Sequence, residues 1–323
     1  MKSWFHGSEA NRAALELRDV PEPAPQAGEI LVRVRAAALN RGEFLARQTL
    51  PATSPAKPAG IECAGEVVQL GAGVESFALG ERVMGRAAMA FSEYAVLRVG
   101  DAIGVPQRLT WEAAAGASIT YLVAYDMLWP GGALQTGEWL LITGASSGVG
   151  VASLQLGKLL GARVIGTSGS AEKLQRLQDL GLDFGLLCRN QGFEQRVMEV
   201  TGGLGVDLVV NNVGGSVFAE CLRVLAYRGR LATVGHLDGE GRAEIDLLAQ
   251  HAKRLHLFGV SNKLRSAGEV AECVAGFKRD VLPAIAEGRV RPVVDRVYAF
   301  ADLPLALARM EANSHVGKIV INL

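Results

Sequence analysis

No two cysteines of this chain stand within three residues of each other: Cys63, Cys188, Cys221 and Cys273 are its only four. That spacing lacks the close pairs of a structural zinc ribbon and reads instead as isolated core residues. Net charge is missing as well. The 33 basic and 33 acidic side chains cancel, which leaves no electrostatic footprint for nucleic acid or an anionic membrane. There is no apolar run long enough to cross a bilayer, and the opening "MKSWFHGSEA" has no apolar signal core. The expectation is a cytoplasmic protein with a small-molecule partner. What the chain does hold is 49% hydrophobic residues, enough for a sizeable core, and 39 glycines, which suit tight turns and close backbone approach to a ligand.

Three stretches differ in texture. Up to about residue 115 the chain has short Val-, Ile- and Gly-containing runs. Among them, "EILVRVRAAALN" (29–40) partly alternates apolar and charged residues at period two. "PEPAPQAG" and "LPATSPAKPAG" read as loops. The middle stretch alternates strands and helices. "TWEAAAGASITYLVAYDML" (110–128) predicts one long apolar helix, and "EWLLIT", "ARVIGT", "FGLL", "VDLVVNN", "GRLATVG" and "RLHLFGV" predict six strands. Six strands alternating with helices imply an α/β, doubly wound parallel sheet covered on both faces. The last stretch mixes helix and strand and ends on "GKIVINL".

"TGASSGVG" (143–150) falls between a predicted strand and a predicted helix. In that context glycine permits the turn, and the helix N-terminus offers unpaired N–H groups to a pyrophosphate. At the end of the next strand, an NAD site would place an acid for the ribose 2′-hydroxyl. "IGTSGSAEK" places Thr167 and Ser168 there, followed by Lys173. Hydroxyls and an ammonium suit a 2′-phosphate, so NADPH is the expected cofactor. Ser168 could also serve as a helix N-cap, and Lys173 as part of a solvated face.

A short-chain dehydrogenase needs a Tyr with a Lys four positions later to lower its pKa. The tyrosines are Tyr94, Tyr121, Tyr125, Tyr227 and Tyr298, and none has that Lys. The segments "AAALNRGEFLARQ", "GIECAGEVVQLGAGV", "LGERVMG", "FSEYAV", "GASSGVGVASLQLGKLLGARVIGT", "TGGLGVDLVVNNVGG", "RGRLATVG" and "VGKIVINL" follow one another through nearly the whole chain. In that order they resemble the medium-chain dehydrogenase/reductase superfamily, in its zinc-free quinone oxidoreductase branch.

The resemblance implies a Rossmann-type domain (121–260) inserted into a strand-rich, bent GroES-like catalytic domain (1–120, completed by 261–323). It implies Asn40 and Glu43 as candidate catalytic residues. Asn40 would lie near the nicotinamide ribose and substrate cleft or cap a loop, and Glu43, where the family usually has Asp, could brace that loop. Ser147, Gly148 and Val149 would give N–H groups to the pyrophosphate. Thr167, Ser168, Lys173 and Arg189 would hold the 2′-phosphate. Val213, Gly235, His236 and Ser261 would line the nicotinamide side. Zinc-dependent members carry Gly-His-Glu where this chain has Gly60-Ile61-Glu62, and usually a Cys near the position of Asn40. Ile cannot ligate zinc, so no metal is expected. Without a Lewis acid the fitting acceptor is a quinone or an α,β-unsaturated carbonyl, which takes hydride directly. A 2-enoyl thioester, or an NADPH-binding role without catalysis, are the other readings. The chain departs from the family at Val123 (commonly Thr), at Cys188 (often Tyr) and in "LARQTLPATS", which lacks a frequent Tyr. A homodimer paired near "LHLFGV" is the implied assembly.

Overall fold

The computed structural model describes all residues except 10, 11, 49–53 and 190. Part of "LPATSPAKPAG" and of "LARQTLPATS" therefore lies outside the described residues. The chain forms two compact units, one of Met1–Ile119, Ser266–Glu287 and Pro292–Leu323, the other of Thr120–Arg265 and Gly288–Arg291.

In chain order the elements begin with β1 (Lys2–Glu9), β2 (Arg12–Asp19), β3 (Glu29–Ala38), α1 (Arg41–Gln48), β4 (Lys57–Pro58) and β5 (Glu62–Leu70). Then come β6 (Arg82–Arg86), β7 (Tyr94–Arg98), β8 (Ala102–Gly104), α2 (Trp111–Ala115) and α3 (Ser118–Asp126). The alternating stretch is β9 (Trp139–Thr143), α4 (Gly148–Leu159), β10 (Arg163–Ser168), α5 (Ala171–Gln178), β11 (Phe184–Leu187), α6 (Glu194–Val200), β12 (Val206–Asn211), α7 (Phe218–Arg223), β13 (Leu225–Thr233), α8 (Leu247–Lys253) and β14 (His256–Gly259). The chain closes with α9 (Ala267–Asp280), α10 (Leu282–Glu287), β15 (Val294–Ala299), α11 (Leu303–Glu311) and β16 (Lys318–Asn322).

The first unit holds a three-stranded sheet, β2-β1-β4, and a seven-stranded one built around β3. One edge of β3 is shared. Residues 29–33 pair with β7, and residues 36–38 pair with β16 from the chain's end. Its other edge pairs with β5 through two register shifts. Such bulges bend a sheet and increase its twist, and the bent sheet encloses a core that includes Val32, Phe44, Phe91 and Ile321.

In the second unit six parallel strands run in the order β11-β10-β9-β12-β13-β14. This is the doubly wound order whose strand sequence reverses between the first and fourth strands. All five residues of β9 are buried, as a strand covered on both faces requires. The Rossmann-type α/β class expected from the sequence is the one observed.

The single long helix expected over 110–128 is broken. α2 stops at Ala115, and Gly116 closes it. A Cβ on Gly116 would sit 3.2 Å from the Cβ of Lys318, so β16 runs against the backbone there. The chain restarts as α3 at Ser118, and the break matters for the site.

Candidate active site

The candidate residues fall into two groups, one in each unit. In the second unit they gather past the C-terminal ends of the parallel strands. β9 leads into Gly144, whose φ is +60°. Ser147 then caps α4, its Oγ accepting from the Gly150 N–H at 3.0 Å. Gly150 must be glycine, because a Cβ would lie 2.6 Å from the Ala145 carbonyl oxygen. The Ser147 N–H itself donates to the Gly144 carbonyl at 3.0 Å. The turn uses that donor, and the first-turn N–H groups of Gly148 and Val149 remain for an anion.

Thr167 and Ser168 end β10, both buried. Thr167 Oγ1 accepts from the Gly144 N–H at 3.2 Å, and its carbonyl from the Ala145 N–H at 2.9 Å. Thr167 therefore braces the glycine-rich turn after β9. Ser168 Oγ accepts from the Ser170 N–H at 3.3 Å. The N-cap of α5 is Ser170, not Ser168, its side chain accepting from the Lys173 N–H. Lys173 is half-buried in the first turn of α5. Arg189 is exposed, and its side chain covers Gly169: a Cβ there would meet Arg189 Nε at 3.0 Å. Arg189 thus packs on the glycine that follows Ser168, Lys173 enters the helix after it, and residues 168–171 include no acid.

Val213, Gly235 and Ser261 follow the ends of β12, β13 and β14, adjacent strands in the sheet. Gly235 permits a close approach, since its Cβ would fall 2.6 Å from the Asn212 carbonyl oxygen. His236 and Ser261 are exposed and Val213 is half-buried. The polar frame of this region was not foreseen. Asn211 Oδ1 accepts from the Val213 and Gly214 N–H groups and from the Thr143 hydroxyl, each at 3.1 Å. Asp238 accepts from the Ser216 N–H at 2.8 Å and from its hydroxyl. Although burial opposes it, hydrogen bonding from Ser216 and the Glu240 N–H leaves the Asp238 carboxyl below its usual range. Asn211 was visible in "NNVGG". Nothing in the sequence singled out Asp238, twenty-seven residues past Asn211.

In the first unit, two reciprocal ties join the segments 40–43 and 60–62. The Gly60 N–H donates to Glu43 Oε1 at 2.6 Å, and Asn40 Nδ2 donates to Glu62 Oε1 at 2.8 Å. Gly60 has φ +92°, and a Cβ would lie 2.3 Å from the Phe91 nitrogen. Glu62 is fully buried and forms an ion pair with Lys318 at 2.7 Å. Its other oxygen, Oε2, accepts from the Ser118 hydroxyl at 2.9 Å and the Ile119 N–H at 2.8 Å. The broken helix supplies both donors, and Ile119 belongs to the first turn of α3, where a carboxylate is favoured. Glu43 is enclosed beside His6, whose Nε2 lies 3.8 Å from Oε1. Burial pushes the Glu43 carboxyl up to about 7, against the pull of the Gly60 N–H and the Lys318 charge, with Glu62 adding to the rise. Of this cluster, Lys318, Ser118 and His6 escaped notice in the sequence. The signal for Lys318 was a charge opening a strand whose next three residues are apolar, "KIVIN".

Among the described residues no group of three or more His, Cys, Asp and Glu side chains could hold a metal ion. No helix among them is long and apolar enough to cross a membrane.

The fold, with its glycine-rich turn after β9 in a Rossmann-type sheet, is that of a two-domain oxidoreductase. The family model for the alcohol dehydrogenase GroES-like domain matches residues 26–126, and the model for zinc-binding dehydrogenases matches residues 148–275. The chain belongs to the medium-chain dehydrogenase/reductase superfamily. It is 30% identical to a phenolphthiocerol/phthiocerol polyketide synthase component of Mycobacterium tuberculosis over 312 residues, 96% of this chain and 14% of that protein. The chain therefore spans only a small part of that relative. A mycobacterial protein solved in complex with NADPH is 28% identical, with a TM-score of 0.87 over 100% of both chains. The Escherichia coli quinone oxidoreductase complexed with NADPH is 25% identical, with a TM-score of 0.87 over 100% of this chain and 99% of that one.

Proposed function

We propose that this chain is an NADPH-dependent reductase that passes hydride to a quinone or an α,β-unsaturated carbonyl without a metal. The turn past β10 carries the cofactor choice. Arg189 lies over Gly169, which follows Ser168, and residues 168–171 include no acid. A carboxylate in that place would bond a 2′-hydroxyl and repel a 2′-phosphate, whereas a guanidinium attracts the phosphate. The glycine cradle fits the same ligand. Gly148 and Val149 give N–H groups to the pyrophosphate, and Gly150 lets α4 start close to the turn. Val213, Gly235, His236 and Ser261 line the nicotinamide side. When bound, NADPH supplies hydride from nicotinamide C4.

Asn40 serves the reaction, as the family pattern implies, and Glu43 braces its segment through Gly60. Ile61 has no donor atom for a metal, and the Glu62 carboxylate is already shared among four hydrogen-bond donors. The acceptor is therefore a conjugated one, whose oxygen needs only hydrogen bonds or water once hydride has arrived. The match to a polyketide synthase supports 2-enoyl thioesters as a second acceptor class. The chain pairs with a second copy through β14, the edge strand of the parallel sheet.

The test is turnover with NADPH against a panel of quinones, enones and enoyl thioesters, with and without a chelator. Quinones or enones should be reduced at the same rate in both conditions. Reduction of thioesters alone would move the reading to the second class, activity lost with bound zinc would refute the metal-free mechanism, and tight NADPH binding with no turnover would mean a non-catalytic protein.

A further inference from the structure

We propose that Lys318 is a positioning residue for the reaction: held against Glu62, its ammonium fixes the orientation of the Asn40 amide. The inference rests on the reading that Asn40 serves the reaction.

The amide of Asn40 could in principle be turned either way, since its oxygen and nitrogen have nearly the same shape. Here the neighbours allow one orientation. Lys318 Nζ, which can only donate, lies 2.9 Å from Asn40 Oδ1. Glu62 Oε1, a carboxylate oxygen that accepts, lies 2.8 Å from Asn40 Nδ2. A flip would set the amide N–H₂ against the ammonium and the amide oxygen against the carboxylate. It would lose both charge-assisted bonds and replace them with repulsions. The ammonium itself is saturated, with Leu39 O at 2.6 Å, Asn40 Oδ1 at 2.9 Å and Glu62 Oε1 at 2.7 Å.

The backbone fixes where the ammonium sits. β16 pairs with the end of β3 at Ala36, Ala37 and Ala38, and the Leu39 N–H donates to the Ile319 carbonyl at 3.0 Å. This ladder sets Lys318 beside the segment that ends in Asn40. The Lys318 side chain is 6% exposed and that of Glu62 0%. A buried ion pair is a weak device for stability, because apolar residues of like volume often serve as well. What apolar residues cannot do is tell the two ends of an amide apart. Asn40 is left with one acceptor lone pair on Oδ1 and one Nδ2 proton spent only on a long 3.4 Å contact to Ala38 O. Lys318 and Glu62 decide which way these face.

The experiment uses Glu62→Gln, which keeps the shape and can offer an N–H where Asn40 and Lys318 need an acceptor. It adds Glu62→Met/Lys318→Met, which removes both charges, and Asn40→Ala as reference. Each is measured for melting temperature, for kcat and KM per folded molecule, and for the side-chain amide resonance of Asn40 in protein labelled with ¹⁵N-asparagine. Misplacing a reacting group by an ångström costs up to about 100-fold in rate. Both variants should therefore lose about 10- to 100-fold in kcat, with KM for NADPH changed less than about threefold, and should displace the Asn40 resonance. The double variant should approach the wild-type melting temperature without regaining kcat. A folded variant with wild-type kcat, or with an unmoved resonance, would overturn the proposal, and if the double variant does not fold, Glu62→Gln decides. If Asn40→Ala itself keeps wild-type kcat, the reading of Asn40 is wrong and the positioning role goes with it. If Asn40→Ala is slow and Glu62→Gln is not, only the positioning role fails.

Discussion

Glu43 shows how far one side chain can be moved from its ordinary chemistry by enclosure. Only 4% of its side chain is exposed, and its Oε2 has no hydrogen-bond partner among the described residues. One oxygen receives the Gly60 N–H. The charged groups around it are Lys318 and Glu62, with His6 close by. Burial dominates and raises the carboxyl to about 7. The unfolded chain would ionise this group near its ordinary value of 4.5. Between those values the folded state holds a proton that the unfolded state has lost, so stability falls as pH rises. The contribution of Glu43 is greatest below pH 4.5, declines up to about 7 and is flat above. A shift of this size corresponds to at most about 3 kcal/mol. Glu43→Gln removes the titration while leaving an oxygen for Gly60. Denaturant midpoints measured from about pH 4.5 to 8 should fall less steeply for the variant than for the wild type. Parallel slopes would mean that Glu43 is ionised throughout, and that the enclosure is looser than its geometry.

At the scale of elements, β9, the glycine-rich turn after it and α4 act as one unit. The turn works because α4 begins within contact distance of it, and Gly150 is the residue that allows this. Its Cβ would meet backbone atoms on both Ala145 and Gly144, at 2.6 and 2.7 Å. Backbone cannot rotate aside as a long side chain can. Gly150→Ala must push the start of α4 outward and carry the Gly148 and Val149 donors with it. Overpacking of this kind costs about 1–3 kcal/mol. The expected result is a similar loss in unfolding free energy and a weakening of NADPH by about tenfold or more, as two hydrogen bonds to charged oxygens lose their geometry. Unchanged affinity in a fluorescence titration would show that the turn does not hold the pyrophosphate. The sequence exposed this element well, because periodicity, glycines and flanking strands all agreed over 138–160. It exposed the segment 110–128 poorly. Its apolar run reads as one helix, yet Gly116 is a poor helix former, and β16 runs so close to it that a Cβ there would sit 3.2 Å from the Cβ of Lys318. Local pattern carries no trace of such a contact. The same limit hid the Glu62 cluster, whose members lie far apart in sequence and meet only when β3 pairs with β5 on one edge and with β16 on the other, and α3 starts beside them.

For the whole molecule, ligand binding is the property that joins the local assignments to a single measurable quantity. A ligand that binds the folded chain and not the unfolded one stabilises it by RT ln(1 + [L]/Kd). NADPH at about one hundred times its Kd should add about 2.7 kcal/mol, which for folded units of this size is roughly 5–10 °C in melting temperature. NADH differs only by lacking the 2′-phosphate. One charge-assisted hydrogen bond to that group is worth about 1.5–3 kcal/mol, or 10- to 100-fold in affinity. At the same concentration NADH should then raise the transition by only about 1–5 °C. Lys173→Ala should pull the NADPH shift toward the NADH value and leave the NADH shift in place, because the ammonium has nothing to meet on an unphosphorylated ribose. Added salt should narrow the gap between the cofactors in the wild type to the extent that Arg189, which is exposed, carries part of the contact. The comparison needs no acceptor and no turnover, so it tests the turn past β10 apart from any reading of the reaction. Equal shifts for the two cofactors in the wild type would show that this turn does not read the phosphate. Loss of both shifts in Lys173→Ala would show that the lysine supports the fold of α5 and not the choice of cofactor.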